Sequence, residues 1–279
     1  MKLGLLQTKH NGMYDFLNPA FPYDKAQCLA MQAAQVEENL RLLPTAVGGG
    51  YDLLVTTECI NYIRTGPRAD AADAALYPPL DSAPVRRLGA AAAAAQSWLV
   101  AGFGYRQNQN AYNGALVFDR TGTLRQVCQK VHLAGDESVV FTPGEHFCVQ
   151  DADFGRFGVC ICWDLQFPET ARTLALRGAD LVVCPTWGWE ADWYGRARAY
   201  ENGIVVAAAM AVPAWGPITA PRTPSSVVLP DGQMPVTAPA HAAALLGVEV
   251  DLRTVPSARA LRCGGRRPAL YGALVDNAK

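Results

Sequence analysis

Apolar positions in this chain fall into short runs of two kinds, and the two kinds alternate. Residues 2–8 read as a buried strand. Residues 24–43 read as a helix, with Asp24 a candidate cap and Glu37 and Glu38 on its wet face. The run 52–58 (DLLVTTE) is apolar and then abruptly polar, a strand that ends on charge, and 84–96 is helical before a further strand at 98–105. The short alanine tract 90–95 predicts a helix face packed closely against something. The rhythm then changes. Runs 113–119, 124–131 and 147–149 read as antiparallel strands, with Asp119-Arg120-Thr121-Gly122 supplying a tight turn between the first two. Strand-like runs 158–162, 180–185 and 204–212 follow with helical stretches between them, one of them at 169–177. Asp231-Gly232 marks another hairpin, 246–252 is a last strand, and the tail from Pro256 reads as basic and irregular. Strands joined by helices imply parallel pairing beneath helices, and hairpins imply antiparallel pairing as well. Two mixed β-sheets stacked face to face, with helices outside, bury such a pattern. No internal repeat or low-complexity linker divides the chain, so one domain over residues 1–279 is expected.

Composition narrows the function classes. Half of the residues are hydrophobic and 18% are charged, an ordinary globular balance. The 24 Lys plus Arg nearly cancel the 25 Asp plus Glu, so no electrostatic footprint for nucleic acid is visible. No apolar run approaches the length of a membrane span, and residues 1–7 do not resemble a secretory leader. The eight cysteines (28, 59, 128, 148, 160, 162, 184 and 263) are therefore expected as reduced thiols of a cytoplasmic protein. Cys160-x-Cys162 lacks the two-residue spacer of zinc sites and the four histidines are scattered, so no metal is expected.

The stretch with the most chemical content is 157–169, FGVCICWDLQFPE. A strand-like run ends at Cys162, a proline-bearing turn follows, and then a helix start. A thiol there is held rigidly at a strand end and feels the positive end of a helix dipole, a setting expected to favour thiolate. Alone, Cys162 reads equally as a small core hydrophobe. Glu58 and Lys130 close two other strand-like runs, and strand ends are where sheets of this kind place chemistry. Taken singly, Glu58 also reads as a capping or solvent-facing carboxylate and Lys130 as a surface strand residue. A papain-like Cys–His hydrolase is a rival reading, with His132 or His146 as base.

Taken together, these blocks resemble the nitrilase superfamily, the carbon–nitrogen hydrolases. LLVTTE carries the glutamate, QVCQKVHL the lysine and GVCICWDLQFPE the cysteine, in the family's order. YNGALVFDRTG, DESVVFTPGE, RGADLVVCPTWGW and RARAYENGIVVAAA match supporting blocks, so the resemblance spans nearly the whole chain. It implies a four-layer α/β/β/α sandwich and a Glu–Lys–Cys triad, with Cys162 as nucleophile, Glu58 as general base and Lys130 as the cation near the developing oxyanion. It also implies that Glu137 orients the site and that the backbone N–H of Trp163 aids Lys130. No metal or organic cofactor is implied. The amidase-like branch fits CWDLQFPE best, which makes a small amide the expected substrate. Nitriles and ureido (N-carbamoyl) acids are the alternatives, and a catalytically dead scaffold is the alternative of another class. A homodimer or larger homo-oligomer is implied by the resemblance alone. Two departures stand out. Thr57 precedes Glu58 where many members have proline, and VVAAAMAVPAWG lacks the asparagine that often ends that strand.

Tyr62, Trp187 and Trp189 follow the base and the strand beyond the nucleophile, and are candidates to line an acyl pocket or to fill core. Arg196 and Arg198 are candidates to clamp a carboxylate. An insertion, HNGMYDFLNPAFPYDK, brings Tyr14, Phe16, Phe21 and Tyr23, which could cover the mouth of the site, form a subunit contact or lie in an ordinary surface loop.

Overall fold

A computed structural model describes residues 1–10, 25–62, 76–135, 137–213 and 222–276. The aromatic insertion and the candidate cap Asp24 lie outside the described residues. In chain order the elements are β1 (Lys2–Gln7), β2 (Lys9–His10), α1 (Lys25–Leu42), β3 (Leu53–Val55), α2 (Ala83–Ala95), β4 (Trp98–Gln107), β5 (Asn110–Phe118) and β6 (Leu124–Gln129). There follow β7 (Cys148–Ala152), β8 (Gly155–Val159), α3 (Pro168–Leu176), β9 (Leu181–Thr186), α4 (Arg196–Asn202) and β10 (Val205–Met210). The last are β11 (Val212–Pro213), β12 (Ser226–Val228), β13 (Val236–Thr237), β14 (Ala244–Glu249) and α5 (Val255–Cys263).

Two six-stranded sheets result, ordered β14-β1-β3-β4-β5-β6 and β13-β12-β10-β9-β8-β7. In the first, β1, β3 and β4 run parallel, and β14, β5 and β6 add antiparallel. In the second, β8, β9 and β10 run parallel and the outer strands antiparallel. Both sheets are mixed, as the alternation of helices and hairpins predicts.

The side-chain period of two sorts the apolar residues of the first sheet. Leu5, Leu53, Val55, Val100 and Val117 face the second sheet and meet Val159, Val183 and Val205 there. Leu6, Leu54, Leu99, Phe103 and Leu116 face outward and are covered by Val36 and Leu40 of α1 and Val85, Leu88 and Ala92 of α2. Leu174 and Ala175 of α3 and Ala199 of α4 cover the other side of the second sheet. The layers are thus α/β/β/α. The near-continuous apolar runs of β9 and β10 follow from burial on both faces. Each fully buried Leu or Val contributes about 1.5–3 kcal/mol relative to exposure.

Turn chemistry at the first hairpin matches its sequence. Asp119 Oδ1 accepts from the N–H groups of Thr121 (2.9 Å) and Thr123 (3.1 Å), and Gly122 takes φ +82°. That hairpin presses on α2: a Cβ on Gly89 would stand 2.6 Å from the carbonyl oxygen of Gly122. The close approach explains why the middle of α2 is glycine and alanine. The tail departs from expectation. It is not irregular but forms α5, with Pro256 in its first turn, where a missing N–H costs nothing. No helix among the described residues is long and apolar enough to cross a membrane.

Candidate active site

Four strand ends converge. β3, β6, β8 and β9 stop at Val55, Gln129, Val159 and Thr186, and the chain just beyond each supplies Glu58, Lys130, Cys162 and Trp187. Glu58 and Lys130 lie past their ladders rather than at the last rung, so the strands are shorter than the sequence pattern predicts. Thr56 N–H still bonds the Val100 carbonyl at 2.9 Å, which carries the extended backbone onward. Gly102 on β4 makes room for it. A Cβ there would lie 2.2 Å from Thr57 O and 2.8 Å from Glu58 Cα. Thr57, at the position of the expected proline, shares a buried hydroxyl contact of 3.0 Å with Thr8.

The three side chains named from the sequence meet. Lys130 Nζ donates to Glu58 Oε1 at 2.8 Å and to Glu137 Oε1 at 2.8 Å, and both Lys130 (1% exposed) and Glu58 (3% exposed) are buried. Cys162, half-buried, lines the same cleft with Glu58, Glu137, Tyr62, Trp163 and Trp187, a cavity of about 410 Å³. Trp187 braces the carboxylate: its backbone N–H donates to Glu58 Oε2 at 3.1 Å and its indole Nε1 to Glu58 O at 2.6 Å. Tyr62 stands edge-on to Trp187 with ring centroids 5.3 Å apart.

Two residues in this cluster have left-handed backbones unusual for their type, Cys59 (φ +38°) beside the glutamate and Cys162 (φ +45°) itself. At Cys162 the sharp turn ends β8 and starts the short helical turn Cys162–Gln166. Trp163, next in that turn, belongs to the first residues of a helix, whose N–H groups have no intrahelical acceptor.

The charges set the protonation of the resting site. Burial works against the Lys130 ammonium, but Glu58, the Cys162 sulfur and Glu137 outweigh it and hold the lysine well above its ordinary value. Burial first, and the Glu58 charge second, hold Glu137 above the usual glutamate value against the opposing pull of Lys130. Cys162 is the correction. Burial, and after it the Glu58 charge, push its thiol up to about 12, although Lys130, the Thr186 hydroxyl and the Trp187 N–H oppose them. The helix start is too weak to offset a desolvated site with a neighbouring carboxylate, so these surroundings favour the Cys162 thiol over its thiolate.

Several sequence candidates lie elsewhere. The Trp189 ring is core rather than pocket: it is fully buried, packs on Gly195 and donates to Ser226 Oγ at 2.7 Å. His132 is spoken for by Asp164 Oδ1 at 2.9 Å and stacks on Phe167 at 4.0 Å, and neither His132 nor His146 is part of the cleft wall. Arg198 is buried and holds the carbonyls of Leu165 (3.1 Å) and Gln166 (2.7 Å), the far end of the turn that Cys162 opens. Arg196 bonds Asp192 and the Gly232 carbonyl. Both arginines are structural.

Two buried residues were missed. Asn113 Nδ2 donates to Glu58 Oε1 (2.9 Å) and Glu137 Oε1 (3.3 Å), a neutral donor beside the lysine. Its signal was a lone amide inside the apolar run of β5. Asp164 Oδ1 accepts from Val131 N (3.2 Å) and His132 N (2.8 Å), and its Oδ2 from Ile161 N (3.0 Å). It therefore ties the lysine's segment to the cysteine's turn. Asp164→Ala is expected to lower stability by about 3 kcal/mol in urea unfolding, because these donors stay buried and lose their acceptor. An unchanged unfolding midpoint would contradict that tie.

An α/β/β/α sandwich with a cysteine, a lysine and glutamates at converging strand ends defines the nitrilase superfamily of thiol enzymes. The sequence model of the family Carbon-nitrogen hydrolase matches residues 18–260, and the chain belongs to that family. Among relatives, it is 34% identical over 254 residues to a hydrolase in the pqqF 5' region of Pseudomonas protegens, covering 87% of this chain and 82% of that one. It is 43% identical over 110 residues to a probable nitrilase of Schizosaccharomyces pombe, covering 37% of this chain but only 40% of that protein's length. Among solved structures, it superposes with TM-score 0.72 and 25% identity on a mutant of the amidase from Nesterenkonia sp. AN1, covering 98% of this chain and 96% of that one. That structure shows covalent addition of the acetamide moiety of fluoroacetamide at the amidase's active-site cysteine.

Proposed function

We propose that this chain, read as one domain over residues 1–279, hydrolyses the C–N bond of a small amide through an acyl-enzyme on Cys162. The observation that carries the reading is the cluster of buried Glu58 and Lys130 with half-buried Glu137 in the cleft wall that Cys162 shares. Because the resting sulfur keeps its proton, Glu58 takes it as sulfur attacks the amide carbonyl. Negative charge develops on the carbonyl oxygen, and the Lys130 ammonium with the Trp163 N–H receives it. Glu137 and Asn113 hold Lys130 and Glu58 in register. Glu58 then returns the proton to the departing nitrogen, leaving a thioester and free ammonia or amine. Water, deprotonated by Glu58, cleaves the thioester and releases the acid. No step in this scheme requires a metal or organic cofactor.

The acetamide adduct of the amidase neighbour supports amide over nitrile as the first substrate class to test. Ammonia release from a panel of small amides, nitriles and ureido acids tests the reading. Wild type is expected to act on amides, and Cys162→Ala to lose all turnover and all acyl-adduct mass. Strong nitrile turnover with silence on amides would reverse the substrate order, and silence on every class would favour the inactive scaffold.

A further inference from the structure

The cleft carries charge at two levels. In its depth Lys130 lies between Glu58 and Glu137. Its solvent-facing part adds a half-buried Glu190 and an exposed Arg222. Arg222 Nη1 donates to the Trp187 carbonyl at 2.6 Å, and its remaining N–H groups engage no partner among the described residues. The Glu190 carboxylate likewise has no hydrogen bond or ion pair among the described residues. Arg222 and Glu190 therefore face one cleft without forming an ion pair.

Trp187 fixes how far Arg222 stands from the chemistry. Its N–H binds Glu58 Oε2 and its C=O binds Arg222, so the guanidinium lies within about 10 Å of the base, the reach of two hydrogen bonds and one residue. That span suits a substrate with a few carbon atoms between its amide and its far end. A neutral amide would leave both outer charges to water. A simple anion would meet Arg222 but also Glu190, and a simple cation the reverse. A far end bearing both a carboxylate and an ammonium satisfies both, and the arginine fork matches a carboxylate in geometry. Charges left unpaired by the wrong ligand are themselves a source of discrimination.

We propose that Arg222 and Glu190 form a head-group site for the carboxylate and ammonium of an amino acid, so that the amide cleaved at Cys162 is a side-chain amide of a small amino acid. This inference rests on the amide-hydrolase reading above. The contact is remote from the reacting bond and acts on ground state and transition state alike, so it shows in KM.

The test measures ammonia release by the full chain on three matched amides: glutamine, its des-amino analogue glutaramic acid, and neutral pentanamide. Wild type is expected to rank them in that order by kcat/KM. Arg222→Leu is expected to lower the ratio of glutaramic acid to pentanamide about ten- to hundred-fold, through KM. Glu190→Gln is expected to lower the ratio of glutamine to glutaramic acid several-fold. Each ratio is taken within one protein sample, so a misfolded fraction cancels. Pentanamide turned over as well as the charged amides, or ratios unmoved in both variants, overturns the head-group site and leaves the amidase reading standing. Ammonia from none of the three overturns both.

Discussion

Replacing Glu58 by glutamine is expected to stop turnover while making Cys162 more acidic. The two effects point in opposite directions because the carboxylate has two roles. In the proposed scheme it is the general base that takes the sulfur's proton, and its loss should cost about 10²- to 10⁴-fold in kcat/KM. As a fixed negative charge beside the sulfur it is the second-largest cause, after burial, of the raised thiol value. Glutamine keeps the shape and an acceptor oxygen but removes the charge, and the Lys130 ammonium, still held by Glu137, then acts on sulfur with burial alone as the main opposing cause. Titrating thiolate ultraviolet absorbance across the alkaline range should place the Cys162 transition lower in the variant than in wild type. A transition that stays put or rises would show that the sulfur does not sense Glu58.

Lys130→Met is expected to have the largest effect on stability as well as on rate. Removing the ammonium takes away the group assigned to the developing oxyanion, a loss of about 10²- to 10³-fold in kcat. It also leaves Glu58 and Glu137 facing each other in a buried site, with Asn113 the remaining donor to both. Breaking a buried ion pair in this way costs about 3–5 kcal/mol. The pH dependence gives the sign. Glu137 is already held above its ordinary value in wild type, and without Lys130 the shift grows. A carboxyl whose folded-state value is raised stabilises the fold in its protonated form and loses that contribution as pH rises through the folded-state value. The deficit of Lys130→Met relative to wild type should therefore be largest near neutral pH and shrink as pH falls toward the ordinary glutamate range of about 4.3. Urea unfolding of both proteins across that range checks it. A deficit independent of pH would mean that the lysine acts through packing alone.

Much of the architecture could be read before any coordinates. Apolar runs with helical or strand period depend on neighbours a few residues away, and so they marked most of the strands and the helices between them. The tight turns at Asp119–Gly122 and Asp231–Gly232 are equally local. Errors fell where tertiary contacts decide. Proline at position 256 reads as a breaker, yet it occupies the first turn of α5, where it is tolerated. The short strands β12 and β13 carry too few residues for a period to show. Trp187 and Trp189 are two residues apart and look alike in the chain. One faces the cleft and the other the core, and only the packing of Gly195 and Ser226 around Trp189 separates them.

The candidate site divides in the same way. The order of blocks around Glu58, Lys130 and Cys162 was sufficient to single out three residues that share one cleft, because a thiol, an acid and a cation at strand ends leave a local trace. Asn113, Asp164 and Arg222 left none strong enough, since each gains its meaning from a partner far along the chain. The protonation of Cys162 was misjudged for the same reason. A helix start is visible in sequence, but desolvation and the distance to Glu58 are not. What the amino-acid sequence determined by itself was the layered pattern and which residues are candidates for the chemistry, through short-range periodicity and residue type. What only the tertiary structure decided was which groups share a cavity and how their charges act on one another, because electrostatic interaction depends on separation and burial in space.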